Sequence, residues 1–500
     1  MAADSAPAAA STAPIGAPPP LRTVPFGAAL RFWLKLGFIS FGGPSGQIAI
    51  MHEELVEKRR WIGEQRFLHA LAYCTLLPGP EAQQLATYIG WLLHRGWGGF
   101  VAGALFVLPG ALLMALLSWI WAAHGDLRDV GALFYGLRAA VVAVVAMALL
   151  RLWKKALANR VLQLLALAAF LALFLFAVPF PAVVVGAGLV GLLGHRFAPH
   201  WFAVKSSHGP ARSTPSGAAP AAAAGAIALA PPPPFVIADD GPLPAHATPS
   251  LARALRVLLL GLLVWFGPLL LIAWWRGGDD VLTTLALFFS KAACVTFGGA
   301  YAVLAYLQQA AVDTFGWMTA PEMLDGLGLA ESTPGPLILV TQFVGYVAGH
   351  RTAAGELPGG SGVAPSGELS PALLGLLGAA VTTWATFAPC FLWIFLGAPY
   401  VERTRGQQRY AMALAAISAA VVGVVANLAC TLSLHTLFAT VDEWRAGPLA
   451  LPLPRLASLD LFAAALAAAA FFGMQRRKWN LVPVVLVAAA LGWAWRRWGT

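Results

Sequence analysis

Apolar stretches, broken by short polar or glycine- and proline-rich pieces, run through most of this chain. They occupy 99–122, 131–150, 161–178, 181–194, 257–275, 371–396, 410–434 and 481–495. A helix rises 1.5 Å per residue, so about 20 apolar residues cross the roughly 30 Å of hydrocarbon in a bilayer. A membrane barrel would show short alternating strands instead, and none is expected from the pattern. The prediction is an all-α polytopic membrane protein.

The apolar segments come in two similar sets. Phe41-Gly42-Gly43 returns as Phe297-Gly298-Gly299, an offset of 297 − 41 = 256. Lys35 and Lys291, Ser40 and Thr296, and Trp61 and Trp317 keep that offset, as do Pro78-Gly79-Pro80 and Pro334-Gly335-Pro336. One position slips before Tyr88-Ile89-Gly90 meets Phe343-Val344-Gly345, and an insertion precedes the similar pair 139–149 and 419–429. Landmarks sharing one spacing identify a tandem duplication with two homologous halves.

Residues 1–27 read as a disordered Pro/Ala-rich tail, without the charged start and apolar core of a signal peptide. The N-terminal repeat covers 28–198, a Pro/Ala-rich linker 199–252, and the C-terminal repeat 253–500, with a loop insertion at 352–370. Loops 151–160, 397–409 and 475–478 are rich in Lys and Arg and belong in the cytoplasm. If each Pro-Gly-Pro region crosses once as a broken helix, the count is about 13 spans. The unpartnered span near 256–275 then makes the halves inverted repeats. Loop 52–66, with Lys58, Arg59, Arg60 and Arg66, falls outside and strains that topology. Re-entrant Pro-Gly-Pro hairpins would change it.

Charge narrows the class further. Only 11% of residues are charged, against roughly 25% in soluble proteins. The net charge of +10 comes without a long basic cluster or a stacking platform, so no nucleic-acid partner is expected. Cys74, Cys294, Cys390 and Cys430 lack CxxC spacing and read as packing residues. Neither HExxH nor HxxxH pairing occurs among the ten histidines, and there is no Walker A sequence. No enzyme activity, cofactor or metal site is expected.

The repeated breaks carry the chemistry. Each Pro-Gly-Pro should stop one half-helix and start another, freeing amides that bind an anion at membrane depth. Pro78, Gly79, Pro80, Pro334, Gly335 and Pro336 are therefore candidate substrate-binding residues, with Pro80 and Pro336 placed in a first helical turn. Gly42, Gly43, Gly298 and Gly299 allow a bend or a close backbone approach, or tight helix packing. Ser40 and Thr296 offer hydroxyls to a ligand, or bond back to their own helices. Lys35 and Lys291 lie in apolar sequence at matched positions; together they would neutralise a dianion, unless each snorkels to the interface. Gln83, Gln84 and Gln342 can hydrogen-bond an oxyanion or another helix. Glu81 and Glu331 are candidate proton or charge partners, Glu81 also suiting a cap. Arg138 begins a span and reads as an anchor there, the alternative being a site residue.

At these motifs the chain resembles the chromate transporter family in its long two-domain form. The resemblance rests on "FGGPSGQIAIMHEELVEKRRW", "LLPGPEAQQLATYIGW", "FGGAYAVLAYL" and "GLGLAESTPGPLILVTQFVGY", and covers about 28–198 and 253–500. It implies a secondary transporter of the bacterial inner membrane that exports chromate and confers resistance, with sulfate as the competing anion. Membrane lipid and a second copy of the chain, as a homodimer, are the other partners considered. An inside-negative potential favours outward movement of a dianion by about 2 × 2.3 kcal/mol per 100 mV. The alternative is a sulfate or other oxyanion transporter working by proton-coupled uptake.

Overall fold

A computed structural model describes residues 23–41, 43–124, 127–197, 235–239, 244–297, 300–357, 369–403, 408–447 and 449–498. Most of the expected tail and linker therefore lies outside the described residues, as do 358–368 of the insertion. Helix α1 (Phe26–Ile39) begins just inside the stretch assigned to the tail.

The duplication is visible element by element. In the first half α1 is followed by α2 (Gly43–His52), which runs into a π-helical turn at Glu53–Lys58. In the second, α9 (Val281–Val295) is followed by α10 (Ala300–Gln308) and a π-helical turn at Gln309–Thr314, the offset again being 309 − 53 = 256. Helices α3 (Glu64–Leu76) and α11 (Ala320–Ser332) match at that offset too. Both stop for the same reason. The residue before a proline is pushed out of the helical region; Leu77 (ψ 149°) and Thr333 (ψ 152°) are extended.

Beyond each break the chain turns back on itself. In α4 (Glu81–His124) the reversal takes two non-helical residues, His94 and Arg95. In the second half the same reversal joins α12 (Val340–Ala354) to α13 (Pro371–Gly397), with the insertion in between. Close glycine crossings pack the two arms: a side chain on Gly90 would strike Gly98, and one on Gly345 would strike the Gly378 carbonyl.

The last helices of the halves change places. Helix α5 (Arg128–Ala156) packs against α15 (Leu461–Arg477) and α16 (Leu481–Trp498) of the second half. Conversely, α14 (Gln408–Leu437) packs against α6 (Arg160–Phe176) and α7 (Phe180–Phe197) of the first. The extra helix α8 (Leu251–Arg276) lies on α9 and α13 with most of its apolar surface outward, as a lipid-facing helix would.

Six helices among the described residues are long and apolar enough to cross a membrane by themselves, and three shorter apolar ones accompany them. The expectation of no short strands needs correction. Strands β1 (Val441–Ala446) and β2 (Leu449–Pro454) form an antiparallel hairpin between α14 and α15, pairing Val441 with Pro454 and Ala446 with Leu449. Its alternation is too short to register beside so many apolar helices, and Pro452 and Pro454 mask it further.

Candidate functional site where the helix breaks cross

Each Pro-Gly-Pro break is built around a left-handed glycine. Gly79 has φ +113° and Gly335 φ +99°, a region that side-chain-bearing residues avoid. Pro80 and Pro336 stand one residue earlier than expected, before the helix and not within its first turn. From Pro80 the chain enters α4 directly; from Pro336 it passes through a 3-10 turn, Leu337–Leu339, into α12.

The two halves complete one another here. The Gly79 amide donates to the Thr296 carbonyl at 3.0 Å, and the Gly335 amide donates to the Ser40 carbonyl at 2.9 Å. The Pro-Gly-Pro break of each half thus sits on the Phe-Gly-Gly break of the other. Each pairing sets two helix interruptions side by side, with the oriented peptide dipoles that such termini present.

The hydroxyls take their local role. Ser40 Oγ donates to Leu36 O at 2.6 Å and Thr296 Oγ1 donates to Ala292 O at 2.5 Å, both back along their own helices. What reaches across the halves is their backbone. Gly43 begins α2 at φ +72°, whereas Gly42, Gly298 and Gly299 lie outside the described residues.

Buried glutamines line the breaks. Gln84 Nε2 donates to Pro78 O at 2.7 Å, tying the first break to its own following helix. Gln342 Nε2 donates to Ala111 O at 2.8 Å, and Gln83 Nε2 to Thr87 Oγ1 at 3.2 Å. Gln47 went unnoticed in the sequence. Its Nε2 donates to Gly335 O at 2.6 Å and to Ser40 O at 3.3 Å, pinning the second crossing. At the other crossing Val303 occupies the matching position, and a small cavity opens between Gly79, Val303, Thr296, Thr341 and Thr386.

The charged residues divide into two groups. Lys35 lies on the exposed side of α1, its side chain 55% exposed and its Nζ 3.9 Å from Glu54. Burial pushes the Glu54 carboxyl up, but Arg59, Lys58 and Lys35 outweigh that and hold it below the usual range. Lys291 is likewise exposed on α9. No described hydrogen bond or ion pair joins either lysine to a Pro-Gly-Pro break. Glu81 is half-buried at the start of α4, while Glu331 is buried on the last turn of α11 and accepts from Tyr301 at 2.9 Å.

Arg138 is more than an anchor. Its guanidinium forms a two-pronged ion pair with Asp325 of α11, at 2.6 and 2.7 Å. Trp121 Nε1 adds a bond to the same carboxylate at 3.2 Å. Asp325 was legible as a lone acid within the apolar run Met323–Ala330, but only the fold shows that its partner comes from the other half.

A family model described as chromate transporter matches residues 28–192 and 283–493. The chromate transport protein of Pseudomonas aeruginosa is 31% identical, over 92% of this chain and 90% of its own length. The chromate transport protein of Cupriavidus metallidurans is 27% identical over 81% and 82%, and a probable chromate transport protein of Synechococcus elongatus 26% over 83% and 89%. No solved structure matches the chain.

Proposed function

Because the chain belongs to the chromate transporter family, we propose that it is a secondary transporter exporting chromate across the bacterial inner membrane, with resistance as the result. The observation that carries this reading is the reciprocal bonding of Gly79 to Thr296 and of Gly335 to Ser40. It seats each broken helix on the break of the other half, so that the remaining amides of the helix starts after Pro80 and Pro336 can hold an anion without a resident cation. The substrate-binding set is then the breaks themselves, Pro78 to Pro80 and Pro334 to Pro336. Gly43, Ser40 and Thr296 form the opposing backbone, and Gln83, Gln84 and Gln342 hold the geometry. Sulfate, of the same shape and charge, is the natural competitor.

The halves are inverted in this reading. The exchange of terminal hairpins between halves and the unpaired helix α8 support that arrangement. Labelling of single cysteines placed in 52–66 and 307–320 should come from opposite sides of the membrane; labelling of both from one side sinks the inversion.

Whole cells expressing the protein should accumulate less chromate than cells without it, and excess sulfate inside should reduce the difference. Equal accumulation excludes export. Proton-coupled oxyanion uptake is the second reading, favoured by a buried carboxyl, Glu331, beside the breaks. In that case expression raises accumulation, and dissipating the proton gradient removes the gain.

A further inference from the structure

Glu331 lies three residues before Pro334, on the last turn of α11, and is 3% exposed. A helix ends in partial negative charge and favours cations there, so helix stability does not account for a carboxyl at this position. No described cation touches it. The hydroxyl of Tyr301 on α10 donates to Glu331 Oε1 at 2.9 Å. That hydroxyl also lies 3.9 Å from where a side chain on Gly43 would begin, so it borders the Phe-Gly-Gly break of the other half. A carboxyl, a phenol and two helix breaks therefore adjoin.

Its surroundings hold few other charges. Among the described residues of the elements packed on α11, Arg151 of α5 acts on Glu331 through space, and Tyr301 acts by contact. Asp325, six residues earlier on the same helix, is committed to Arg138. The two halves differ at this point. Ser45 and Thr75 stand 256 positions before Tyr301 and Glu331, so the first half has no ionisable counterpart.

Burying a lone ionised carboxylate is expensive, and a dianion held at the adjoining breaks would repel it as well. A neutral acid avoids both penalties. We propose that Glu331 is a proton-binding site linked to oxyanion binding, so that anion and proton occupy the protein together, with Tyr301 positioning the acid. This rests on the oxyanion-transport reading above. A dianion moving with one proton carries net charge −1 per cycle and not −2. Such coupling confines proton binding to one half of a duplicated protein.

The test uses purified full-length protein in weakly buffered detergent, with chromate as the probe and a pH dye as the readout. The same titration of Glu331→Gln subtracts the anion's own protonation. Titrated at successive pH values, wild type should take up as much as about one proton more per bound anion than Glu331→Gln does, most at a pH where Glu331 of the free protein is ionised. Over that range its apparent chromate affinity should fall as pH rises, up to about tenfold per unit. In Glu331→Gln that excess slope should vanish, and Glu331→Asp should restore it. Equal proton uptake by wild type and Glu331→Gln overturns the proposal while leaving oxyanion transport standing. Wild type that binds neither chromate nor sulfate overturns the transport reading itself. Should Glu331→Gln fail to reach the membrane, Tyr301→Phe decides: a displaced pH midpoint with proton uptake retained supports the site, and an unmoved midpoint removes it.

Discussion

The two Pro-Gly-Pro units share sequence motif, helix lengths and turn geometry, yet their surroundings differ. Every residue from Met323 to Glu331 in α11 is buried, against Arg66, Phe67, Ala70 and Cys74 alone in the equivalent α3. Helix α11 packs on α5, α14 and α16, and the Arg138–Asp325 pair fastens it to the opposite half. At the equivalent places the first unit has His69 and Ser418. Its loop is held instead by the linker: Ile237 forms a parallel bridge with Ile62, and Asp239 Oδ1 accepts from the Arg66 amide at 2.9 Å. Duplication has thus kept the breaks and varied the clamps. A unit with a half-exposed flank and a linker for support can shift with less disruption than one enclosed on all sides.

The sharpest contrast lies at the two central glycines. A side chain on Gly79 would begin 2.7 Å from Cys390 Sγ and 3.0 Å from Gln84 Nε2, whereas one on Gly335 would meet Leu339 Cδ1 at 3.3 Å and nothing closer. Both positions also carry a left-handed backbone, worth roughly 1–2 kcal/mol against any side chain. Gly79→Leu and Gly335→Leu should each abolish chromate transport. Gly335→Ala should lower it about fivefold or more, reflecting the roughly 1–2 kcal/mol of backbone strain alone, and Gly79→Ala by a larger factor, because Cys390 and Gln84 crowd it as well. Cys390 matches Gly110 in the first half, so Cys390→Gly should partly restore Gly79→Ala. Membrane yield on the same samples separates lost transport from lost protein. Equal losses without rescue would show that space at the breaks does not matter.

The ion pair comes next in size. Removing one partner of a buried pair typically costs about 3–5 kcal/mol. Asp325→Asn should fall at the lower end, because the Arg138 side chain is 30% exposed and keeps some other solvation. A drop in the melting temperature of the purified protein measures it. Changing both to Met and Leu should cost less than changing Asp325 alone, since no unpaired charge remains; a larger loss would refute the clamp.

A smaller effect compares the crossings directly. Gln47→Val deletes the amide that joins Gly335 O and Ser40 O; Ser40 O keeps the Gly335 amide, but the Gly335 carbonyl loses its donor, for about 1–3 kcal/mol. Val303→Gln inserts a polar chain into the cavity beside Gly79 and Thr296. If that cavity gives the first break its room to move, Val303→Gln slows transport more than it lowers stability, and Gln47→Val does the reverse. Identical profiles would mean that the crossings are interchangeable.

Much of this was legible beforehand, for definite reasons. A fixed offset of 256 reveals equivalence between halves, and proline and glycine announce where helices must stop. Contact between non-equivalent parts leaves no such trace: nothing in the spacing says that Gly79 meets Thr296 and not Ser40. The lysines show a second limit. Arg31 and Lys35, four residues apart, share the face of α1 that exposes Leu30 and Leu34, opposite the packed Phe32, Trp33 and Leu36, and a comparison of repeat positions alone passes over that pairing. Repetition of the motifs located the breaks; packing alone paired Arg138 with Asp325 and brought Gln47 to the second crossing.

The weakest expected effect concerns those lysines, and it again distinguishes the halves. Lys35 shares Glu54 with Lys58 at 3.3 Å and Arg59 at 3.2 Å, so its removal leaves the carboxylate still paired. Exposed pairs of this kind contribute about 0–1 kcal/mol. Lys35→Met should therefore change chromate affinity less than about fivefold. Ala310 stands where the second half would need its Glu54, and no described acid pairs with Lys291. Its charge is free to draw anions toward the surface, an effect that acts on the rate of encounter and is screened beyond about 10 Å at 0.1 M salt. Lys291→Met should slow chromate capture by severalfold at low ionic strength and leave it unchanged at high, with Lys291→Arg close to wild type because charge alone matters. A loss of equilibrium affinity of tenfold or more in either Lys→Met variant, persisting in high salt, would put that lysine in the ion's path. The asymmetry would then lie in the clamps alone and not in the charge around the site.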